Sequence, residues 1–454
     1  MECKRISVCL LTKLIRRNRF RWVFCQLEVL RHSFPSSVRH ILDELPESLD
    51  ETYERLLKEI RKPKQGHAHR LLQCLVAAVR PLRVEELAEV LAFDFNAEGT
   101  PKLNVGWRWD NQEEAVMSTC SSLVIVVKDG GSRVVQFSHF SVKEFLTANR
   151  LAEPIRDVSR FHIRLNAAHT IVARACLGVL LRLDDRVDRD NVKDFPLALY
   201  AAQYWDTHAR FENVSSRVKD GMECLFDADK PYFATWLGIY NKDLGGPSMP
   251  MYPKMPEAVP LYYAAMFGFR GLAEHLIAEH PEQVNGKGGR QASPMHIAAE
   301  AGHPSILSLL LEHGADVDWR DSIGQTPLHR ASSSGNPEAG QCLLDRGADV
   351  NARNSDDQTP LFWAMICRHV EFARMLLDRG AWIDINTRDT YLGRTPLHLA
   401  VESKDIQAVR LLLEYGADIN VIDRSGHTPS EWGSSLGCHE IVELLSKYGA
   451  KSVK

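Results

Sequence analysis

His67, His69 and Cys74 bring two imidazoles and a thiol within eight residues, and both kinds of group ligate zinc. Their spacing fits no zinc-site pattern, so no metal is expected. Ten cysteines lie at positions 3, 9, 25, 74, 120, 176, 224, 342, 367 and 438, and none forms a C-x-x-C pair. Buried free thiols in a reducing compartment are expected, not a disulfide framework. The sequence contains no G-x-S-x-G, no H-E-x-x-H and no kinase set. A phosphate-cradling G-x-x-x-x-G-K-[ST] loop is also missing: Gly286-Lys287 has neither the earlier glycine nor a following Ser or Thr. The residue chemistry therefore predicts no enzyme and no cofactor. Recognition is expected in its place, and the question becomes which elements would carry it.

Those elements repeat. Pro294, Pro327, Pro360, Pro396 and Pro429, each after Thr or Ser, are separated by 33, 33, 36 and 33 positions, with a weaker copy at Pro260. A fixed period of this length marks a stacked array of about six units. One unit runs Gln325-Thr326-Pro327-Leu328-His329, then an apolar helix to Leu344, then Gly347-Ala348-Asp349-Val350-Asn351. The Thr hydroxyl caps a helix whose first residue is Pro, where no N–H is lost. The His is expected to bond neighbouring turns. Ala331 lets two helices approach, and Leu343 and Leu344 bury the second. Gly347 supplies the left-handed helix end, while Asp349 and Asn351 shape the next turn.

This unit resembles the ankyrin repeat over about 258–450. It recurs as Ser293-Pro294-Met295-His296 with Gly314-Ala315-Asp316, and as Thr395-Pro396-Leu397-His398 with Gly416-Ala417-Asp418. Three departures stand out: Phe362-Trp363 replaces His-Leu, Trp382 replaces the Asp, and about three extra residues near Asp389-Thr390-Tyr391 enlarge one hairpin. The last unit, with Ser430-Glu431-Trp432, reads as a C-terminal cap. The resemblance implies that a protein partner sits on hairpin tips and the inner-helix face. It assigns the contact to Arg320, Ser322, Ile323, Gln325, Arg353, Ser355, Asp356, Gln358, Trp363, Trp382, Tyr391, Leu392, Arg394 and Arg424.

The N-terminal half reads differently. Leu49, Tyr53, Leu56, Leu57 and Ile60 form one helical stripe after Pro46. Leu71, Leu72, Leu75 and Val79 form a second helix ending near Pro81, and Val84 to Leu91 a third. Leu123–Val127, a Lys128-Asp129-Gly130-Gly131 turn and Val134–Phe137 read as a hairpin, before a helix from about Ser141 to Leu151. This is a winged-helix pattern. Phe20–Leu27 and Leu45–Tyr53 resemble the end of the NACHT module of fungal signal-transducing ATPases. Arg80-Pro81-Leu82 with Glu85-Glu86-Leu87, and Phe137–Leu146, resemble the winged helix that follows it. The resemblance implies that His139 stands where a related histidine touches an ADP phosphate, which requires an upstream nucleotide domain; Phe140 replaces the usual acid.

The fold class is thus mainly α. Residues 1–22 form a basic N-terminus, 23–80 the helical end of a NACHT-like module, 81–155 a winged-helix domain, 156–257 a helical connector with a Pro/Gly-rich linker, and 258–450 ankyrin repeats. Seven Lys/Arg against Glu2 alone in the first 22 residues read as a solvated extension rather than a transit peptide. A net charge of −4 argues against general nucleic-acid binding, and no apolar run approaches the roughly 18 residues of a membrane span. A cytoplasmic interaction scaffold or sensor is expected, the regulatory end of a signalling protein, with self-association through the N-terminal half. The alternative is DNA binding through the winged helix: residues 1–70 carry 15 Lys/Arg against 9 Asp/Glu, but the helix from Val84 is acidic where phosphates would lie.

Overall fold

The computed structural model describes residues 48–96, 99–120, 122–153, 157–183, 192–243 and 258–449. The expectations for residues 1–47, including Pro46 and the basic start, and for the linker at 244–257 fall outside them. Among the described residues, twenty-one α-helices and five strands make a mainly helical protein. They divide into two compact units, 1–180 with 189–218, and 181–188 with 219–454. The division falls inside the stretch read as a single connector.

In the first unit, Ser48 and Glu51 form a capping box that opens helix α1 (Leu49–Glu59), which buries Tyr53 and Leu57. Helix α2 (Gln65–Ala77) and helix α3 (Val84–Leu91) follow, separated by strand β1 (Leu82–Arg83). Strands β2 (Phe93–Asp94) and β3 (Lys102–Leu103) pair as a short ribbon. Helix α4 (Gln112–Cys120) comes next; its run Gln-Glu-Glu-Ala-Val-Met-Ser-Thr-Cys has little apolar periodicity, and the sequence reading passed over it. Strands β4 (Val124–Asp129) and β5 (Ser132–Phe137) are antiparallel, with Val126 opposite Val135, and β1 adds to β5. The sheet order β1-β5-β4 behind three helices is the winged-helix arrangement. Helix α5 (Phe140–Thr147) ends four residues earlier than expected, and a 3₁₀ turn over Asn149–Ala152 follows it.

Helix α6 (Leu165–Leu180) and helix α7 (Ala198–Ala209) complete this unit. Gly178 is what lets α6 close on β2. A Cβ there would meet the Phe93 ring at 2.7 Å and the Pro101 carbonyl at 2.9 Å. Tyr200 and Trp205 on α7 are fully buried. Tyr200 also carries a polar chain: its hydroxyl lies 3.2 Å from the Val79 N–H and 2.9 Å from His208 Nε2. His208 Nδ1 lies 3.0 Å from His169 Nδ1. Burial pushes His208 down to about 3, and the neighbouring His169 adds to the fall.

The second unit begins with helices α8 (Lys219–Leu225) and α9 (Tyr232–Asp243). Trp236 packs edge-to-face on Tyr263 at 5.5 Å and tilted against Phe267 at 6.2 Å, so α9 seals the first repeat with aromatic surface. Six helix pairs follow: α10/α11 (Pro260–Phe267, Arg270–Glu279), α12/α13 (Pro294–Ala301, Pro304–Glu312), α14/α15 (Pro327–Ser334, Pro337–Asp345), α16/α17 (Pro360–Ile366, Val370–Asp378), α18/α19 (Pro396–Glu402, Ile406–Glu414) and α20/α21 (Pro429–Ser435, His439–Lys447). Each first helix begins with Pro at its first position. Gly347 takes the left-handed conformation at φ 88° as expected.

Candidate partner-binding surface

Four hairpins of the array are each shaped by one side chain that collects backbone N–H groups. Asp321 Oδ1 accepts from Ile323 and Gln325 at 3.0 and 2.9 Å. Asn354 Oδ1 does the same for Asp356 and Gln358, both at 2.9 Å, and Asp423 Oδ1 for Ser425 and His427 at 2.8 and 3.0 Å. Asp389 closes the enlarged hairpin by accepting from Leu392 and Arg394. Adjacent tips are tied main chain to main chain. Ser322 N–H donates to Arg290, Ser355 to Ile323, Thr390 to Asp356 and Arg424 to Leu392, at 2.8 to 3.0 Å. The tips therefore hold a fixed spacing along one edge of the array.

The histidines fix the rows behind the tips. His296 Nδ1 lies 2.9 Å from Ser293 Oγ, and its Nε2 lies 3.0 Å from the Gln325 carbonyl of the next repeat. His329 repeats this with Thr326 and Gln358, and His398 with Thr395 and His427. Because a carbonyl accepts, Nε2 carries the proton and Nδ1 accepts the backbone N–H of Ser293 or Thr326. Burial pushes both His296 and His329 down to about 4, against the pull of those carbonyls. Asp318 is raised by burial, and the Asp349 N–H it accepts opposes that rise.

Against this frame the expected contact residues separate. Ser322, Ile323, Ser355, Asp356, Tyr391, Leu392 and Arg424 are exposed on the tips, and Tyr391 is 77% exposed. Arg320 and Arg353 are exposed beside them; Arg320 bonds the Gly324 and Arg353 carbonyls, and Arg353 pairs with Asp384 at 3.2 Å. Gln325 is a correction. It is only 3% exposed, because the turn folds its side chain inward while its carbonyl serves His296. Gln358 is half-buried and spends its amide oxygen on Asn354. Arg394 is also turned inward, pairing with Glu402 at 2.7 Å and lying 4.7 Å over the Trp432 ring. Trp363 is half-buried on the inner-helix face, and Trp382 is exposed at the base of its hairpin next to exposed Ile383. The reading missed Arg388, which matches Arg320 and Arg353 in standing just before the hairpin Asp or Asn and was legible by that alignment.

The N-terminal candidates take structural positions. His139 caps α5, accepting the Ser141 N–H on Nδ1 at 3.2 Å, and Ser141 Oγ bonds the Tyr53 hydroxyl at 2.8 Å. Among the described residues no group of three or more His, Cys, Asp or Glu is placed to hold a metal ion. Cys74 and Cys120 are buried free thiols, and burial pushes both up to about 12. The acids of α3 need correction. Glu86 and Glu89 do not face solvent: they are buried and paired with Arg80 and Arg108. Helix α3 is thus a core helix, and α4, which follows it, carries Glu113 and Glu114 and no Lys or Arg.

Comparison with known proteins agrees with this division. Residues 261–354 and 382–454 match the family of ankyrin repeats in three copies, and 338–377 match ankyrin repeats in many copies. Residues 53–156 match the winged helix domain of GPI inositol-deacylase. The C-terminal half is thus an ankyrin-repeat array, and a winged-helix domain precedes it. A curated protein of Monascus ruber, azaphilone pigments biosynthesis cluster protein L, is 32% identical over 288 residues, 60% of this chain and 60% of that protein. The chain therefore aligns with less than two thirds of that relative's length. No helix among the described residues is long and apolar enough to cross a membrane.

Proposed function

We propose that this protein is a non-catalytic interaction scaffold whose ankyrin hairpin tips bind a protein partner. The observation that carries this is the tip row itself. Ile323, Tyr391 and Leu392 are large apolar groups held in solvent by a hydrogen-bonded main-chain ladder. Holding such groups outside a core is unfavourable unless another surface covers them. Arg320, Arg353 and Arg424 flank them, and arginine with tyrosine is the composition of interface anchors.

The finer reading makes the chain the regulatory part of a NACHT–ankyrin signalling protein of the cytoplasm. Partner binding would then shift a closed–open equilibrium by its different affinity for the two states. In that reading His139 contributes to ADP retention in a chain that carries a nucleotide domain. Unchanged ADP release from H139A in such a chain would remove that role.

Affinity capture with the full chain tests the main proposal. Proteins captured by the native chain should fall several-fold with the double variant Tyr391→Ala, Leu392→Ala, while its unfolding temperature stays unchanged. If no captured protein depends on these two side chains, the tips are not the binding surface.

A further inference from the structure

A groove of about 630 Å³ opens in the first unit beside β2 and the loop Val105–Asp110. Its size falls within the range of about 300 to 1,000 Å³ typical of small-molecule sites. Trp107 and Trp109 line it and are 47% and 52% exposed. Between them, Arg108 turns inward to the buried carboxylate of Glu89, whose other oxygen accepts the Leu197 N–H at 3.0 Å. That ion pair pins the loop at its middle residue. The two indoles on either side are consequently held out in solvent by a fixed backbone.

The groove floor is apolar, made by Leu91 and Phe93. Arg70 supplies the cation. Its guanidinium lies 4.5 Å over the Phe95 ring and reaches the Phe93 carbonyl at 3.5 Å. Among the described residues no carboxylate oxygen bonds it. Burial pulls its pKa down, with Cys74 and Asp94 acting against that and Arg174 adding to it. A half-buried guanidinium with donors unspent favours an incoming anion that can accept two parallel hydrogen bonds. Asp94 and Asp110 also line the groove, and their charges oppose a dianion such as phosphate. A singly charged carboxylate satisfies both demands.

We propose that this groove binds a flat aromatic carboxylate, with its ring on Trp107 and Trp109 and its carboxylate on Arg70. The site is independent of the ankyrin surface and adds a small-molecule input to the winged-helix unit.

Calorimetric titration of the full chain with naphthoate, and with naphthamide as its neutral match, tests this. Naphthoate should bind, and naphthamide at least about tenfold more weakly, the loss expected for one charge-assisted pair. Arg70→Gln should lose a similar factor for the acid and nothing for the amide. Because Arg70 packs on Phe95, a second variant is needed that leaves the core intact. Trp107→Ala with Trp109→Ala removes only exposed rings and should abolish binding at an unchanged unfolding temperature. No heat with millimolar naphthoate, equal affinity for acid and amide, or binding retained by the double tryptophan variant would each overturn the proposal.

Discussion

Trp432 donates its indole N–H to Asp423 at 2.9 Å, a carboxylate nine residues earlier in the hairpin that leads into its helix. Arg330 does the same to Asp321 at 2.7 Å, again across nine residues. Trp363 occupies the equivalent place in the fourth repeat, and nine residues before it stands Asn354. The Asn354 oxygen is taken by two backbone N–H groups, and its nitrogen donates to Gln358. The buried Trp363 Nε1 has no partner.

Replacing Asn354 by Asp should therefore stabilise the array. The second carboxylate oxygen gives Trp363 an acceptor, worth about 1 kcal/mol net. Asp423→Asn should destabilise by a similar amount by orphaning Trp432. Urea unfolding of both variants checks this; a lower midpoint for N354D would show that Trp363 does not reach the hairpin.

Acidification should loosen the repeats. His296 and His329 sit at about 4 in the folded protein, against 6.5 for the free side chain. The unfolded chain thus takes up these protons first as pH falls. Stability is complete above 6.5 and declines between 6.5 and about 4, by up to about 1.4 kcal/mol per pH unit and site. Urea midpoints at about pH 7.5 and about pH 5 should differ by several tenths molar or more. Equal midpoints would mean that these histidines are not buried neutral.

The direction of the Tyr200 chain fixes a tautomer. Val79 N–H donates to the Tyr200 oxygen, so the hydroxyl proton goes to His208 Nε2. His208 must then carry its proton on Nδ1 and donate to His169 Nδ1. Nitrogen NMR should find the Nδ1–H form at neutral pH, persisting well below pH 6.5 because burial opposes the charge. An Nε2–H signal would reverse the assignment.

Gly178→Ala should destabilise the first unit by about 2 kcal/mol through overpacking. The added methyl meets the Phe93 ring and a rigid carbonyl, and the carbonyl cannot move aside without shifting the β2–β3 ribbon. Circular dichroism melting would register this; an unchanged transition would mean α6 stands further from the ribbon.

Most of the array could be read from the chain because its contacts are local in repeat register. Thr326, Pro327, His329 and Gly347 each act within one repeat or on the next. The orientation of Gln325 and Arg394 was not legible, since hairpin folding decides whether a side chain before the Thr-Pro points in or out. Glu86 and Glu89 misled for a related reason. Charge in a sequence suggests solvent, and only tertiary structure brings Arg80 and Arg108 to cover them. Helix α4 escaped notice because its polar sequence is held by packing rather than by periodicity. The groove beside Trp107 assembles residues from positions 67 to 110, which no single motif marks.

Most neighbouring repeats are bolted together at one or both of two levels, and one seam lacks both bolts. On the inner level His296, His329 and His398 each bond the following repeat. On the outer level His303, Asn336 and His369 each bond the preceding one. Between the fourth and fifth repeats, Phe362 stands in the inner place, and Asp405 in the outer place caps its own helix instead. The enlarged hairpin lies at this same seam. Pulled from its ends, the array should part there first, where the Tyr415 hydroxyl on Asp378 and the Asp418 N–H on Asn386 are left to hold the fourth repeat to the fifth.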